Sequence, residues 1–346
     1  MGQYRKKLGF DDVLIEPQYS DIKSRSECHT HSIVGTIPLK LPIIAANMDT
    51  VCDEKMTNKM SKLGGTGIIH RYMDVERTKS ILESYEASST NPLILAVGCW
   101  DRDKKRISVI LDFLQKNKSS DIHICVDIAH GHCIHVKETL TKLHEYNFPN
   151  CIIAGNVATK QGVHDLLAWG AHVAKIGIGP GSACSTRTKT GCGVPQFQAI
   201  QDCAPIGPII ADGGIRTPSD AVKALAVGAE AIMIGGMLAG TDYTPGWSPG
   251  VSYIPFRGMA SEAARAEHGQ SVANPEGISV KVPTRPKGST EEVVLGIKEG
   301  LQSAMSYSGA RTLHEFQQKA RIIEVSPSMT KENGPHILKD NEKIYK

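Results

Sequence analysis

The chain has 346 residues, 40% of them hydrophobic and 22% charged, a balance that suits a globular protein of one large or two average domains and excludes disordered and collagen-like chains. Its 39 Lys and Arg are scattered among 36 Asp and Glu, and a net charge of +3 without a basic stripe argues against a nucleic-acid surface. No apolar run approaches the ~20 residues that cross a bilayer, and the opening MGQYRKKLGFDD lacks the apolar centre of a secretion signal, so no membrane partner and a cytoplasmic location are expected.

Eight short apolar runs follow one another along the chain: LPIIAANMDT (41–50), GTGIIHRY (65–72), PLILAVGC (92–99), DIHICVDIAHG (121–131), NCIIAGNVAT (150–159), AHVAKIGIGPG (171–181), GPIIADGGI (207–215) and AEAIMIGGM (229–237). Unbroken Ile, Val and Ala, without polar alternation, predict parallel strands covered on both faces. Helical spacing fills the intervals, as in SVILDFLQK (108–116), GVHDLLAWG (162–170) and TPSDAVKALAVG (217–228), the last with a Thr-Pro-Ser-Asp start and a glycine stop. Eight such units predict a TIM (β/α)8 barrel; an open α/β sheet with a miscounted strand is the alternative. Residues 240–290 are rich in Gly, Pro, Ser and charge, far longer than a usual connection, and are expected to be a mobile flap or disordered. The run EEVVLGIKEGLQSAMSYSG (291–309) then supplies the last outer helix. The expected organisation is one catalytic domain, 1–322, followed by a flexible polar tail, 323–346.

In a barrel, residues just after the strands share the ligand-binding face. Those ends hold Asn47, Asp49, His70, Arg71, Asp127, His130, Asn156, the loop 179–187, residues 212–214 and residues 235–236. Three glycine-rich ends, GPGS (179–182), DGG (212–214) and IGGM (234–237), suit a phosphate, because glycines let backbone N–H groups approach an anion. Ser182, Gly214, Gly235 and Gly236 are the candidate donors, and Asp212 could accept from a ribose hydroxyl. Nine cysteines form no C-x-x-C pair, so neither a disulfide framework nor a zinc site is expected. Most read as buried hydrophobes. Cys184 differs, lying two residues beyond Ser182 with Arg187 near enough to favour a thiolate. Ser185 and Thr186 either satisfy loop amides or relay a proton.

The run GIGPGSACSTRTKTGCGVPQ resembles the cysteine loop of the IMP dehydrogenase / GMP reductase family. The likeness continues through IIAANMDTV (43–51), IIHR (68–71), DIAHGH (127–132), AGNVAT (154–159), ADGGI (211–215), IGGMLAG (234–240), FRGMAS (256–261) and PEGISVKVP (275–283), covering nearly the whole chain. The resemblance implies a purine nucleotide, GMP or IMP, whose C2 is attacked by Cys184 and whose contacts include Asn156, Ser182, Asp212, Gly213, Gly214, Gly235, Gly236, Gly258, Met259 and Ala260. It also implies a nicotinamide cofactor beside Asp127, Ile128, Ala129 and Arg71, with Ser24 and Arg25 reaching a neighbouring subunit of a homotetramer. A potassium ion would sit in the cysteine loop at Gly179, Gly181, Cys184 and Arg187.

The direction of hydride transfer is less direct. Family dehydrogenases carry an Arg-Tyr pair in the flap, absent here between Gly258 and Lys281, and most insert a regulatory module where MDVERTKSILESYEASSTN (73–91) leaves room for one helix. The resemblance therefore favours the NADPH-dependent reductase branch, with Thr186 and Glu276 as its proton-handling pair. Asn274 and Pro275 stand where that branch carries an arginine, and PEGI-x-x-x-VP also resembles bacterial dehydrogenases, which use NAD. A dehydrogenase lacking the regulatory module and a catalytically silent nucleotide-binding barrel are the alternatives.

Overall fold

All eight apolar runs form strands: β1 Ile43–Ala45, β2 Thr66–Ile69, β3 Leu93–Val97, β4 Ile122–Asp127, β5 Ile152–Val157, β6 Val173–Ile176, β7 Ile209–Asp212 and β8 Ala231–Ile234. In this computed structural model, which describes residues 6–88, 92–117, 121–267, 274–285 and 287–331, each strand pairs in parallel with the next. β8 returns to β1 through Ile232–Ile43, Met233–Ile44 and Ile234–Ala45, closing the barrel. Eight outer helices cover it: α1 Glu54–Lys62, α2 Val75–Ser88, α3 Trp100–Lys116, α4 Ile134–Glu145, α5 Lys160–Ala168, α6 Gln196–Cys203, α7 Pro218–Ala226 and α8 Thr290–Tyr307. The fold is a TIM barrel.

Side-chain alternation explains why these runs needed no polar residues. Ile44, Ile68, Ile94, Cys125, Ile153, Val173, Ile210 and Met233 form the interior cluster, while their neighbours Ile43, Ile69, Leu95, Ile124, Ile152, Ala174, Ile209 and Ile232 pack outward against the helices. Burying one such side chain stabilises by about 1.5–3 kcal/mol. The helices start where the sequence supplies caps. Asp53 accepts from the Met56 N–H, Thr159 from Gly162, and Ser289 from Glu292. At α7, Thr217 and Asp220 make a reciprocal capping box with proline in the first turn.

Two short ribbons absent from the sequence reading complete the scaffold. The hairpin of Ser32–Val34 with Ile37–Leu39 adds Val34, Ile37 and Leu39 to the interior cluster, beneath the strands' N-terminal ends. Val13–Glu16 pairs antiparallel with Arg321–Glu324. The expected boundary at 322 lies within this second strand. The segment belongs to the fold because Ile322 packs on the core, and the turn Pro327–Lys331 follows it. The rest of the expected tail, 332–346, lies outside the described residues.

The long excursion after β8 is not featureless. It contains an antiparallel ribbon, Tyr253–Arg257 with Ser279–Pro283, and the short helix Glu262–Glu267; residues 268–273 lie outside the described residues. No described helix is long and apolar enough to cross a membrane.

Candidate active site

The three glycine-rich loops converge at the C-terminal mouth of the barrel. Gly213 and Gly214 have φ of +92° and +77° and pack on Pro180 and Gly181 of the cysteine loop, a conformation that side chains other than glycine's disfavour. Gly236 lies so close to Ser182 that a Cβ would sit 2.5 Å from Ser182 Oγ. The loops after β6, β7 and β8 thus pack against one another at the mouth. Lys287, which the sequence reading passed over, brings its Nζ to 3.4 Å from the Gly236 carbonyl, and partial burial lowers its pKa.

Cys184 is exposed, and its Sγ lies 3.2 Å from Thr186 Oγ1. The same hydroxyl donates to Glu276 Oε2 at 2.8 Å. Backbone contacts hold this alignment: Ser185 N–H donates to the Glu276 carbonyl at 2.9 Å and Ile278 N–H to the Ala183 carbonyl at 3.0 Å. The PEGIS segment is therefore docked on the cysteine loop through an antiparallel bridge between Cys184 and Gly277.

Gly258, Met259 and Ala260 are brought to the same mouth. Gly258 N–H donates to the Ile278 carbonyl at 3.0 Å, Tyr72 Oη to the Met259 carbonyl at 2.9 Å, and Asp49 N–H approaches Met259 Sδ at 3.4 Å. Arg257, just before them, pairs with Asp49 at the end of β1, and both side chains are largely buried. The guanidinium Nε reaches Asp49 Oδ2 at 3.0 Å and Oδ1 at 3.3 Å, and Nη2 donates to Oδ2 as well, so several charge-assisted bonds tie the excursion to the barrel.

Lys175 is the residue that sequence reasoning missed. It sits mid-strand in β6, points inward between Val173 and Gly177, and is 2% exposed. Its Nζ donates to Asp127 Oδ1 at 2.6 Å, to Asp212 Oδ2 at 2.7 Å and to Asn156 Oδ1. An ammonium has three donors, and all three are used. Asn156 in turn donates to the Gly177 carbonyl at 2.8 Å and to Asp212 Oδ2 at 2.9 Å. Burial, the largest single effect, pushes the Asp127 carboxyl up, but the charge and hydrogen bond of Lys175, with the Arg71 charge and the Asn47 bond, together hold it below its ordinary value. Burial alone would lower Lys175, and the Asp127 and Asp212 carboxylates instead raise it. The available signal was a lone lysine at an inward position of an otherwise apolar strand.

Other expected contacts divide. Ile128 and Ala129 continue from Asp127 at the barrel mouth; Ala129 is exposed, and Ile128 exchanges backbone bonds with Gly155 and Asn156. Arg71 lies 3.5 Å from Asp103 and over the Tyr72 ring at 4.9 Å, and its buried Nε has no hydrogen-bond partner among the described residues. Ser24 and Arg25 are not brought to Cys184 within this chain. Ser24 caps a short turn, and Arg25 Nη1 donates to Ser303 Oγ of α8 at 3.2 Å. The Arg187 side chain packs on Gly179 and Gly193 and donates to the Val194 carbonyl at 2.6 Å, while its own carbonyl accepts from Gly191 at 3.1 Å. Among the described residues, the Gly179 and Cys184 carbonyls accept no hydrogen bond, whereas Gly181 accepts from Cys184 N–H at 3.0 Å.

Residues 7–336 match the family described as the IMP dehydrogenase / GMP reductase domain. The chain belongs to this family. It is 37% identical over 335 residues to the GMP reductases of Escherichia coli O81 (strain ED1a) and Shigella flexneri, spanning 92% of this chain and 95% of each relative. A solved structure of a cysteine-to-alanine variant of GMP reductase from Trypanosoma brucei, in complex with guanosine 5'-monophosphate, matches with a TM-score of 0.86 at 26% identity, over 96% of this chain and 98% of that one. The family's barrel is present here without an inserted regulatory domain, since β2 and β3 are separated by α2 and residues 89–91, which lie outside the described residues.

Proposed function

We propose that this chain is a GMP reductase, converting GMP to IMP and ammonia with NADPH. The observation that carries the reading is the chain of contacts from Cys184 through Thr186 to Glu276, set beside the glycine loops of β6, β7 and β8. The nucleotide's phosphate is held by backbone N–H groups of Ser182, Gly214, Gly235 and Gly236, and its ribose by the outer oxygen of Asp212. Gly258, Met259 and Ala260 line the base.

Cys184 sulfur bonds to purine C2. Its proton passes by way of Thr186 and Glu276 to the exocyclic amine, which leaves as ammonia while sulfur stays on C2 as a thioimidate. When bound, a nicotinamide cofactor would supply the hydride needed at C2 in place of sulfur. The thiolate departs and takes up a proton, restoring Cys184. Asp127, Ile128 and Ala129 fit the cofactor's ribose, and the unpartnered Nε of Arg71 offers a donor to an anionic group. The Gly179 and Cys184 carbonyls, which accept no hydrogen bond, suit a hard cation such as potassium. Gly181 and Arg187 complete that donor set. The remoteness of Ser24 and Arg25 from Cys184 supports a second copy meeting the cofactor's far end, in a cytoplasmic homotetramer.

Absorbance of the nicotinamide band in four mixtures tests the reading. GMP with NADPH is expected to lose absorbance and yield IMP and ammonia, faster than GMP with NADH. Rapid NADH formation from IMP and NAD would overturn it and assign a dehydrogenase. Binding of GMP without turnover of any pair would leave a silent nucleotide-binding barrel.

A further inference from the structure

Asp127 ends β4 and Asp212 ends β7, so in the proposed reaction one carboxylate serves the cofactor and the other the substrate ribose. Neither is held independently. Both share the ammonium of Lys175, at 2.6 and 2.7 Å, and Asn156 at the end of β5 braces the same ammonium and Asp212 Oδ2. The interior side chains around Lys175 that belong to the apolar cluster, Cys125, Ile153, Val173 and Ile210, are fully buried and offer the two carboxylates no substitute cation. Two carboxylates in that setting repel and desolvate unless one cation serves both.

We propose that Lys175 is a positioning residue that sets the cofactor-side Asp127 and the substrate-side Asp212 through a single ammonium, and so determines the affinity for both ligands at once. This rests on the proposed GMP reductase reading. The geometry gives the division of labour at Asp212. Oδ2 is taken by Lys175 and Asn156, and among the described residues Oδ1 makes no hydrogen bond, which leaves it directed to a ligand hydroxyl. At Asp127, Oδ1 is taken by Lys175 and the carboxyl also receives a bond from Asn47 of the β1 end. Moving the ammonium therefore turns both carboxylates, though neither ligand touches it.

The test is the pattern of KM values for GMP and NADPH in four variants of the full-length protein. Lys175→Met is expected to raise both, each by about tenfold or more, the loss associated with a hydrogen bond to a charged group. Asp212→Asn should raise the KM for GMP with little change for NADPH, and Asp127→Asn the reverse. Lys175→Arg keeps the charge, shifts where it sits, and carries the test if Lys175→Met does not fold; it too should raise both KM values at an unchanged thermal midpoint. A change confined to one ligand overturns the proposal. So does a fall in kcat with both KM values unchanged, the mark of a lysine that only supports the barrel. Failure of the underlying reading is distinguishable, because the unsubstituted protein would then not consume NADPH with GMP.

Discussion

Thr186 Oγ1 donates to Glu276 Oε2 at 2.8 Å although the two residues lie 90 positions apart. The bond crosses from the cysteine loop to the excursion after β8, and the thiol of Cys184 lies 3.2 Å from the same hydroxyl. A carboxylate that accepts from this hydroxyl orients its oxygen lone pairs toward the neighbouring sulfur. Glu276→Gln keeps the shape and removes the proton acceptor. We expect kcat for GMP to fall about 100-fold or more with the KM for GMP nearly unchanged, consistent with loss of proton transfer. Steady-state kinetics at the nicotinamide band check this, and a mere rise in KM would show that Glu276 binds substrate instead. Cys184→Ala should abolish turnover yet still bind GMP by calorimetry.

Arg257 and Asp49 form the other link between the excursion and the barrel. Their side chains are 14% and 8% exposed, and Arg257 also reaches Glu267, so the pair is partly shielded from water. Asp49→Ala removes the buried acceptor and leaves Arg257 with the exposed Glu267 alone. We expect a loss of about 1–3 kcal/mol, read by denaturant unfolding, since a buried charge loses its partner. The KM for GMP should rise as well, because residues 258–260 follow Arg257 directly. Unchanged KM with lowered stability would mean that Tyr72 alone places Met259.

Backbone conformation makes a third prediction. At Gly213, φ is +92° and a Cβ would come within 3.1 Å of the Gly181 nitrogen and of Pro180. Gly213→Ala therefore combines strain with a push against the cysteine loop, at a cost of about 1–3 kcal/mol. Thermal denaturation would register the strain, and weaker GMP binding would register displacement of the loop's N–H groups. A variant as stable as the parent would show that the DGG turn can relax without cost.

The barrel was legible because its signal is local and repeated. Each strand from Ile43–Ala45 to Ala231–Ile234 falls within an apolar run, and most runs carry after the strand the glycine or small polar residues that become its loop. Cys184, Thr186 and Glu276 were legible as a resemblance, and the structure brings them together. The ribbon of Val13–Glu16 with Arg321–Glu324 was not, since four-residue strands carry little pattern and their partners lie some 300 positions apart. The excursion's ribbon was hidden by composition: YIPFR and SVKVP include proline, which ordinarily argues against a strand and is tolerated at an edge. Lys175 was missed for a different reason. Its charge violates the apolar pattern of β6, and such a violation has meaning only once the strand's inward face is known.

That violation yields the last prediction, in the pH dependence of stability. In the native protein Asp127 is held below its ordinary value, because the charge and hydrogen bond of Lys175, with Arg71 and Asn47, together outweigh the effect of burial. A depressed carboxyl contributes stability above its unfolded pKa, about 3.9, and loses it as pH falls through the folded value. Lys175 is raised, so its contribution is present below its unfolded pKa, about 10.4, and is lost only as pH rises through the folded value. Between about pH 4 and 10 this network should therefore add no slope. Removing the ammonium reverses the acid limb. In Lys175→Met, burial dominates at Asp127 against the remaining pull of Arg71 and the Asn47 bond, and the folded carboxyl titrates above its unfolded value. Stability of this variant should be greatest on the acid side and decline as pH rises from about 4, while the parent shows no such decline. Urea unfolding at stepped pH values measures both curves. Parallel curves for the two proteins would mean that the carboxylates find another cation, for Asp127 the Arg71 whose charge it already feels.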